Sequence, residues 1–107
     1  MTGPGDLNRR LVIEEPVETP DGAGGMTRSY EAAATVWASV VPLSARHAIE
    51  AMGQGATVTH RIVLRHREDL TTRHRLRDGS RLFRIDTLRD ADGRRRYLEI
   101  RAEERAD

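Results

Sequence analysis

Four histidines are the first side chains in this sequence that could bind a metal ion. His60 and His66 fall on one face of a predicted strand, but six residues of strand span about 20 Å, so a single ion cannot bind both. His47 and His74 would have to be brought together by the fold, with a carboxylate as a further ligand. We therefore interpret the histidines as structural and expect no metal and no cofactor.

Paired carboxylates could act as a general acid and base if the fold held them at a fixed separation. The pairs in this chain fall at predicted strand ends and turns, where they would be solvated: Glu14–Glu15, Asp90 with Asp92, and Glu103–Glu104. Ser44 and Ser80 lack the Gly-x-Ser-x-Gly context of an activated serine. Cysteine and lysine are absent, which excludes thiol and Schiff-base chemistry. The sequence predicts a protein that is not an enzyme.

A glycine-rich stretch at residues 19–25 could cradle a phosphate or form a turn. A phosphate loop needs a following Lys and Ser or Thr, whereas Met26, Thr27 and Arg28 follow here. Glycines permit positive φ, and proline fixes its own φ, so the stretch is typical of a loop tip or wide hairpin. We predict a turn.

Charge is distributed unevenly along the chain. Residues 1–55 carry four arginines and seven acidic residues, a net −3, whereas residues 56–107 carry fourteen arginines and ten acidic residues, a net +4. A nucleic-acid surface could use the arginines of one strand face and one hairpin: Arg61, Arg65, Arg67, Arg94, Arg95 and Arg96. Only 4% of residues are aromatic, too few for a base-stacking groove, and acidic residues lie between the arginines. A small nucleic-acid-binding barrel is therefore the alternative, and head-to-tail packing of copies or a polar ring surface fits the opposite charges at least as well.

Period-two patterns predict the elements that position these side chains. Six strands are predicted at residues 10–15, 35–43, 57–67, 74–77, 82–88 and 96–103, with Pro16 and Pro20 ending the first, and residues 26–30 are a candidate for a further short strand. A short amphipathic helix is predicted from Ser44 to Gly53. The pattern indicates an all-β protein, a small six-stranded antiparallel barrel or sandwich with one short helix and long loops. We expect a flexible N-terminal arm at 1–8, a single β-barrel domain at 9–104 and a polar tail at 105–107.

The strand at residues 35–43 is apolar on both faces. Val36, Ala38 and Val40 alternate with Trp37 and Val41, so a second element or a second subunit should cover the outer face. A core with so few aromatic residues leaves a narrow margin of stability, which favours oligomerisation. No apolar run is long enough to span a membrane, and we expect no membrane partner.

Several blocks in order resemble the head–tail joining proteins of tailed bacteriophages. They are residues 10–13, the loop 16–25, the Val-Trp-Ala-Ser-Val block at 36–40 with Pro42-Leu43-Ser44, and residues 59–67 and 79–85. The resemblance spans about residues 9–101. Val41 departs from the resemblance, since members of the family tend to have a polar residue at this position.

The resemblance implies a virion protein that forms a homo-oligomeric ring, a dodecamer, at the neck of a phage or of a phage-like gene transfer agent. Such a ring closes the DNA-filled capsid and provides the docking surface for the tail. Its partners would be a portal or adaptor ring above, a tail terminator or tail tube below, and double-stranded DNA that passes through without sequence-specific contact. Before assembly the chain would lie in the host cytoplasm. Stopper, adaptor and tail-end roles remain open.

Two groups of residues are predicted to carry these contacts. The docking or gating loops are expected at Asp21, Gly22, Gly24 and Gly25 and at Gln54 and Gly55. The subunit interface is expected at Trp37, Val41, Ile49 and Met52.

Overall fold

A computed structural model describes residues 6–53 and 58–106 of the chain. Its elements are the strands β1 (Arg9–Pro20) and β2 (Met26–Pro42), the helix α1 (Ala45–Gly53), and the strands β3 (His60–Arg65), β4 (Arg75–Asp78), β5 (Arg81–Asp90) and β6 (Tyr97–Ala106). The six strands close into an antiparallel barrel in the order β1-β2-β3-β6-β5-β4. The predicted all-β fold with six strands and one short helix is confirmed, and the barrel is closed.

Alternation along the strands fills the barrel interior with one continuous apolar cluster. Its members are Leu11, Ile13, Ala38, Ile62, Leu64, Leu70, Leu76, Phe83, Ile85, Leu98, Ile100 and Ala102. Phe83 and Ile85 on β5 and Leu98, Ile100 and Ala102 on β6 alternate along their strands, and all five are buried. Val36 and Val40 pack against the cluster from β2, which confirms the predicted inner face of that strand.

The first two strands are longer than the sequence patterns indicate. Pro16 was expected to end β1, but the strand continues to Pro20. Beyond Glu14, β1 no longer pairs with β4 and pairs only with β2. A strand that is free on one side tolerates proline, because the missing N–H is not needed there.

The two runs predicted at residues 26–30 and 35–43 form one continuous strand, β2. The pairing shifts where Ile13 faces Ala34 and Glu14 faces Ala32, so Ala33 forms a bulge. Three consecutive alanines carry little strand signal, which is why the sequence pattern was interrupted there.

Beyond the bulge, residues 15–20 and 26–31 pair only with each other and form a two-stranded extension that we call the ribbon. Six residue pairs give it a length of about 20 Å. The molecule is correspondingly long, at 50 × 31 × 27 Å.

Two strands at the other end of the chain also differ from their predicted lengths. β3 spans only His60–Arg65, although Val58 before it is buried. β6 runs to Ala106 and pairs with β5 as far as Arg81, so Arg105 lies in the sheet.

The helix lies between β2 and β3, as the sequence predicted. Within the described residues, α1 forms no substantial packing contact with any strand. No helix in the described residues is long and apolar enough to cross a membrane.

Candidate assembly surfaces

The outer face of β2 exposes two large apolar side chains. Trp37 is 55% exposed and Val41 is 48% exposed, whereas the core residues beneath them are buried. The Arg10 guanidinium lies 5.7 Å from the centre of the Trp37 ring, a cation–π contact that holds one edge of the indole. Alternation on β2 therefore places Trp37 and Val41 together on one outward surface, as expected.

The helix α1 exposes the other two predicted interface residues. Ile49 and Met52 are each 68% exposed. An ion pair between Arg46 and Glu50, four residues apart at 3.4 Å, supports the helix from its own surface. A nine-residue helix is marginal in water without a packed face. A neighbouring molecule that packs against the apolar side of α1 would therefore stabilise the helix.

The tip of the ribbon is a compact turn built around Asp21. Its Oδ1 accepts hydrogen bonds from the backbone N–H groups of Ala23 at 2.8 Å and Gly25 at 3.0 Å. These bonds hold the pKa of Asp21 below its usual value. The backbone N–H of Asp21 donates to the Gly25 carbonyl at 3.1 Å, which closes the turn.

Glycine is required in this tip for two reasons. Gly22 and Gly24 adopt φ of +81° and +87°, which side chains rarely accept. A Cβ on Gly25 would lie 2.7 Å from Asp21 Oδ2. The predicted turn is therefore present, with all four of its predicted residues brought together. Gln54 and Gly55, the other predicted loop, lie outside the described residues.

The ribbon tip and the helix lie at opposite ends of β2. Met26 begins the strand beside the tip and Pro42 ends it just before α1. Seventeen residues at strand rise span about 50 Å. The two groups of predicted contact residues therefore form separate surfaces.

His60 belongs to a hydrogen-bonded network at one end of the barrel. Its Nδ1 lies 2.8 Å from Thr59 Oγ1, and its Nε2 lies 3.4 Å from a guanidinium nitrogen of Arg81. The ring packs edge-on against Phe83, with centroids 5.2 Å apart. Within residues 6–53 and 58–106, no three His, Asp or Glu side chains are grouped so as to hold a metal ion.

The arginines considered for nucleic-acid binding are mostly paired with acidic side chains. Four pairs have contacts between 2.7 and 3.5 Å: Arg61–Glu99, Arg67–Asp69, Arg95–Glu68 and Arg96–Asp92. Arg67 holds Asp69 through two nitrogens, which keeps the pKa of Asp69 low. Arg61 contacts Glu99 as an ion pair only, because its Nε has no hydrogen-bond partner. Four of the six arginines are thus paired, and Glu99 also pairs with Arg89 at 2.6 Å, so acidic side chains offset part of the positive charge of this face.

A second group of arginines lines a cleft of 580 Å³ that sequence analysis missed. We call it the arginine cleft; its lining residues are Arg28, Tyr30, Thr72, Arg73, His74, Arg75, Leu82, Phe83, Arg84 and Arg105. Five of the ten are arginine, and none is acidic. The lining comes from the ribbon, the segment before β4, and strands β4 to β6. In the sequence, the one sign of the arginine cleft is the alternation of Arg73, Arg75 and Arg77.

A family model described as phage head completion protein matches residues 3–105. The chain belongs to this family. No curated protein matches the sequence as a relative. The predicted resemblance to head–tail joining proteins is thereby confirmed, and the chain is a virion component of the phage head completion family.

Two solved structures resemble this head completion protein closely. Protein SF1141 from Shigella flexneri 2a, solved in solution, is 31% identical with a TM-score of 0.79, and the match covers 99% of each chain. A chain from the virion of a native gene transfer agent particle is 30% identical with a TM-score of 0.67, over 94% of this chain and 97% of the other. Both the barrel and its family are thus shared with a virus-like particle.

Proposed function

We propose that this chain forms a homo-oligomeric ring, with twelve copies, at the head–tail interface of a phage or phage-like gene transfer particle. The ring closes the DNA-filled capsid and provides the docking surface for the tail. The role requires binding and no catalytic step. Membership in the head completion family and the 30% identical chain of a gene transfer agent virion support this proposal.

The observation that carries the proposal is that large apolar side chains are exposed on the outside of a barrel whose core is already buried. Trp37 and Val41 on β2, and Ile49 and Met52 on α1, are all about half exposed or more. Each large apolar side chain removed from water contributes about 1.5–3 kcal/mol. Contact with neighbouring subunits would bury these four residues and would supply the packing that α1 lacks among the described residues.

The ribbon supports a second kind of contact, with a neighbouring ring. It extends about 20 Å from the barrel, and its tip is held in one shape by the Asp21 hydrogen bonds. A two-stranded extension of this length is marginal in isolation and gains stability when it packs against a partner. We assign it as an arm toward the portal or adaptor ring, or toward the tail terminator or tail tube.

The packaged duplex passes through the ring without base-specific contact. The arginines of the β3 face and of the turn before β6 are partly neutralised by Glu99, Asp69, Glu68 and Asp92. Neutralised guanidinium groups contribute little to the counterion release on which DNA affinity depends. This observation favours a structural ring over the alternative, a nucleic-acid-binding barrel.

Electron microscopy of particles from the source tests the proposal directly. The expected result is a ring of this chain at the neck, between head and tail, with the apolar surfaces of β2 and α1 buried. Particles that lack the chain, or that contain it only outside the neck, would refute the assignment.

A binding titration distinguishes the proposed ring protein from the alternative, a nucleic-acid-binding barrel. The isolated chain should bind duplex or single-stranded DNA weakly at physiological salt. Tight binding that falls steeply as salt rises would favour the nucleic-acid module instead.

A further inference from the structure

The arginine cleft contains more positive charge than its own chain neutralises. Three glutamates are each shared between two arginines: Glu14 by Arg75 and Arg77, Glu18 by Arg28 and Arg73, and Glu103 by Arg84 and Arg105. Arg84 also lies 3.8 Å from Asp86. Because one carboxylate serves two guanidinium groups, the arginines that line the cleft keep N–H donors available for another anion.

Two features favour the binding of such an anion by these guanidinium groups. Arg75 and Arg84 are directly opposite each other across β4 and β5, a like-charge arrangement that destabilises a sheet. The Arg75 guanidinium lies 3.8 Å from the centre of the Tyr30 ring, which fixes its plane. Arg28, Arg73 and Arg105 are each more than half exposed and can reach a bound group.

Glu14 shows how strongly this environment favours a carboxylate. Burial alone would raise the pKa of Glu14, but hydrogen bonds and the positive charges of Arg75 and Arg77 outweigh it and lower the pKa. A second carboxylate that entered the cleft would meet the same guanidinium donors and would bind in its ionised form.

The ribbon carries a complementary pair of acids. Glu15 and Glu31 are directly opposite each other across its two strands, and both are exposed. In the described part of the chain they are the two carboxylates with neither a hydrogen bond nor an ion pair. Strand alternation puts Glu15 on the face opposite Glu14 and Glu18, the two β1 glutamates that contact the arginines of the cleft.

We propose that the arginine cleft of one copy binds the Glu15–Glu31 pair of the next copy in the ring. The interface is heterologous, with a different surface on each partner, as cyclic assembly beyond a dimer requires. Arginine forks and carboxylates form charge-assisted bidentate bonds, and each contact relieves a like-charge pair on both sides. The inference rests on the proposed ring and names one of its contacts.

The shape of the cleft favours carboxylate side chains over a nucleic acid. At 580 Å³, with the ribbon forming one wall and residues 72–74 another, it admits a few side chains and is too small for a duplex.

Engineered cysteines test the contact, because the chain has no cysteine of its own. Particles are assembled from a chain with both Glu31→Cys and Arg105→Cys, oxidised, and run on a non-reducing gel. Glu15 and the other cleft arginines remain to hold the interface. The expected result is a ladder of cross-linked oligomers that extends to the full ring, with each single-cysteine variant remaining monomeric.

Outcomes of this experiment separate the contact from the ring itself. A double variant that stays monomeric in particles whose neck ring is visible would overturn the contact and leave the ring intact. Dimers from a single-cysteine variant would indicate a two-fold interface and would also overturn it. Absence of any ring from wild-type particles would refute the proposed function, and the contact with it.

Charge reversal provides a second, independent test. We expect Glu15→Arg with Glu31→Arg, or Arg73→Glu with Arg105→Glu, to reduce the yield of neck rings about tenfold or more, because like charges then meet. The chain that carries all four changes should regain rings, since the complementarity is restored in reverse. Far-ultraviolet circular dichroism of each isolated chain verifies folding.

Failure of the combined variant to recover rings, when each chain is folded, would contradict the contact. A loss of salt-sensitive DNA binding in the Arg73→Glu, Arg105→Glu chain, together with intact rings, would assign the cleft to phosphates and likewise overturn it.

Discussion

At the scale of single residues, the barrel depends on Phe83 more than on any other side chain. It is the only phenylalanine in a chain with 4% aromatic residues, and it is fully buried. His60 packs against its edge, and the Arg81 guanidinium lies 5.1 Å from its centre. The ring therefore joins the core to the polar network at the end of the barrel.

Truncation of Phe83 should be among the most damaging single changes. We expect Phe83→Ala to lower the free energy of unfolding by about 3–5 kcal/mol, because a cavity replaces the ring. Phe83→Leu keeps most of the volume and should cost less than about 1.5 kcal/mol. Urea unfolding followed by circular dichroism measures both. Equal losses in the two variants would contradict the packing argument.

His60 makes stability depend on pH. Burial lowers the pKa of His60 from its usual 6.5; the Glu104 charge opposes this, and the Arg81 charge adds to it. The unfolded chain therefore takes up this proton at a higher pH than the folded chain. The contribution to stability is fully present above pH 6.5 and is lost as the pH falls through the lower pKa of the folded state.

A pH series on a His60 variant isolates this effect. The wild-type melting temperature should fall as the pH decreases below 6.5, before the carboxylates with lowered pKa begin to protonate near pH 4.5 and below. His60→Gln retains a polar side chain but cannot titrate, so its profile should be flatter in this range. Parallel profiles for the two proteins would show that His60 isn't the group responsible.

At the scale of elements, period-two patterns predicted the strands well where one face is apolar. Residues 82–88 and 96–103 alternate cleanly; β5 contains the first run, and β6 contains the second from Tyr97 onward. The helix was predicted because Ser44 and Gly53 bracket an apolar repeat, and α1 ends at that glycine. Local signals were sufficient for these elements.

The ribbon could not be predicted in the same way. Pro16 signals a strand end in a paired sheet, and only the tertiary pairing reveals that β1 is free on one side there. The arginine cleft was missed for a related reason, since its walls come from segments far apart in sequence. The exposed residues Trp37 and Val41 were predictable because strand alternation determines their face directly.

The tip of the ribbon offers a test at this scale. We expect replacement of residues 21–25 by Asn-Gly to leave stability nearly unchanged, because a two-residue turn suits the strand pair that ends at Pro20 and Met26. Particles with this shorter arm should join heads to tails poorly. Electron microscopy gives the fraction of tailed particles, and thermal unfolding verifies the fold.

A point variant separates the shape of the tip from its charge. Asp21→Asn retains the Oδ1 acceptor for the Ala23 and Gly25 N–H groups but removes the negative charge. Normal joining with Asp21→Asn and poor joining with the shorter arm would identify shape as the requirement. Unchanged joining in both would show that the tip takes no part in docking.

At the scale of the whole molecule, the fold and the assembly draw on different apolar residues. The interior cluster is sealed inside the barrel, whereas Trp37, Val41, Ile49 and Met52 lie outside it. Changes in the first set should act on folding of the single chain. Changes in the second set should act on association of copies, since burial there occurs only when subunits meet.

Trp37→Ala tests this division because it removes the largest exposed apolar side chain. In the isolated chain Trp37 is already 55% exposed and its ring contacts Arg10, so the free energy of unfolding should fall by about 1 kcal/mol or less. In a ring, every subunit would lose the buried indole at its interface. Aromatic residues at interfaces often contribute 2 kcal/mol or more, so the yield of neck rings should fall about thirtyfold or more.

The matched control is Thr87→Ala, at an exposed position of β5 across the barrel from β2. It should alter neither unfolding nor ring yield, because it removes little apolar surface. Chemical denaturation of the monomer and quantitative microscopy of particles give the two readouts. Normal rings with Trp37→Ala at low protein concentration would exclude this tryptophan from the interface and leave Val41 and α1 as the remaining apolar contacts.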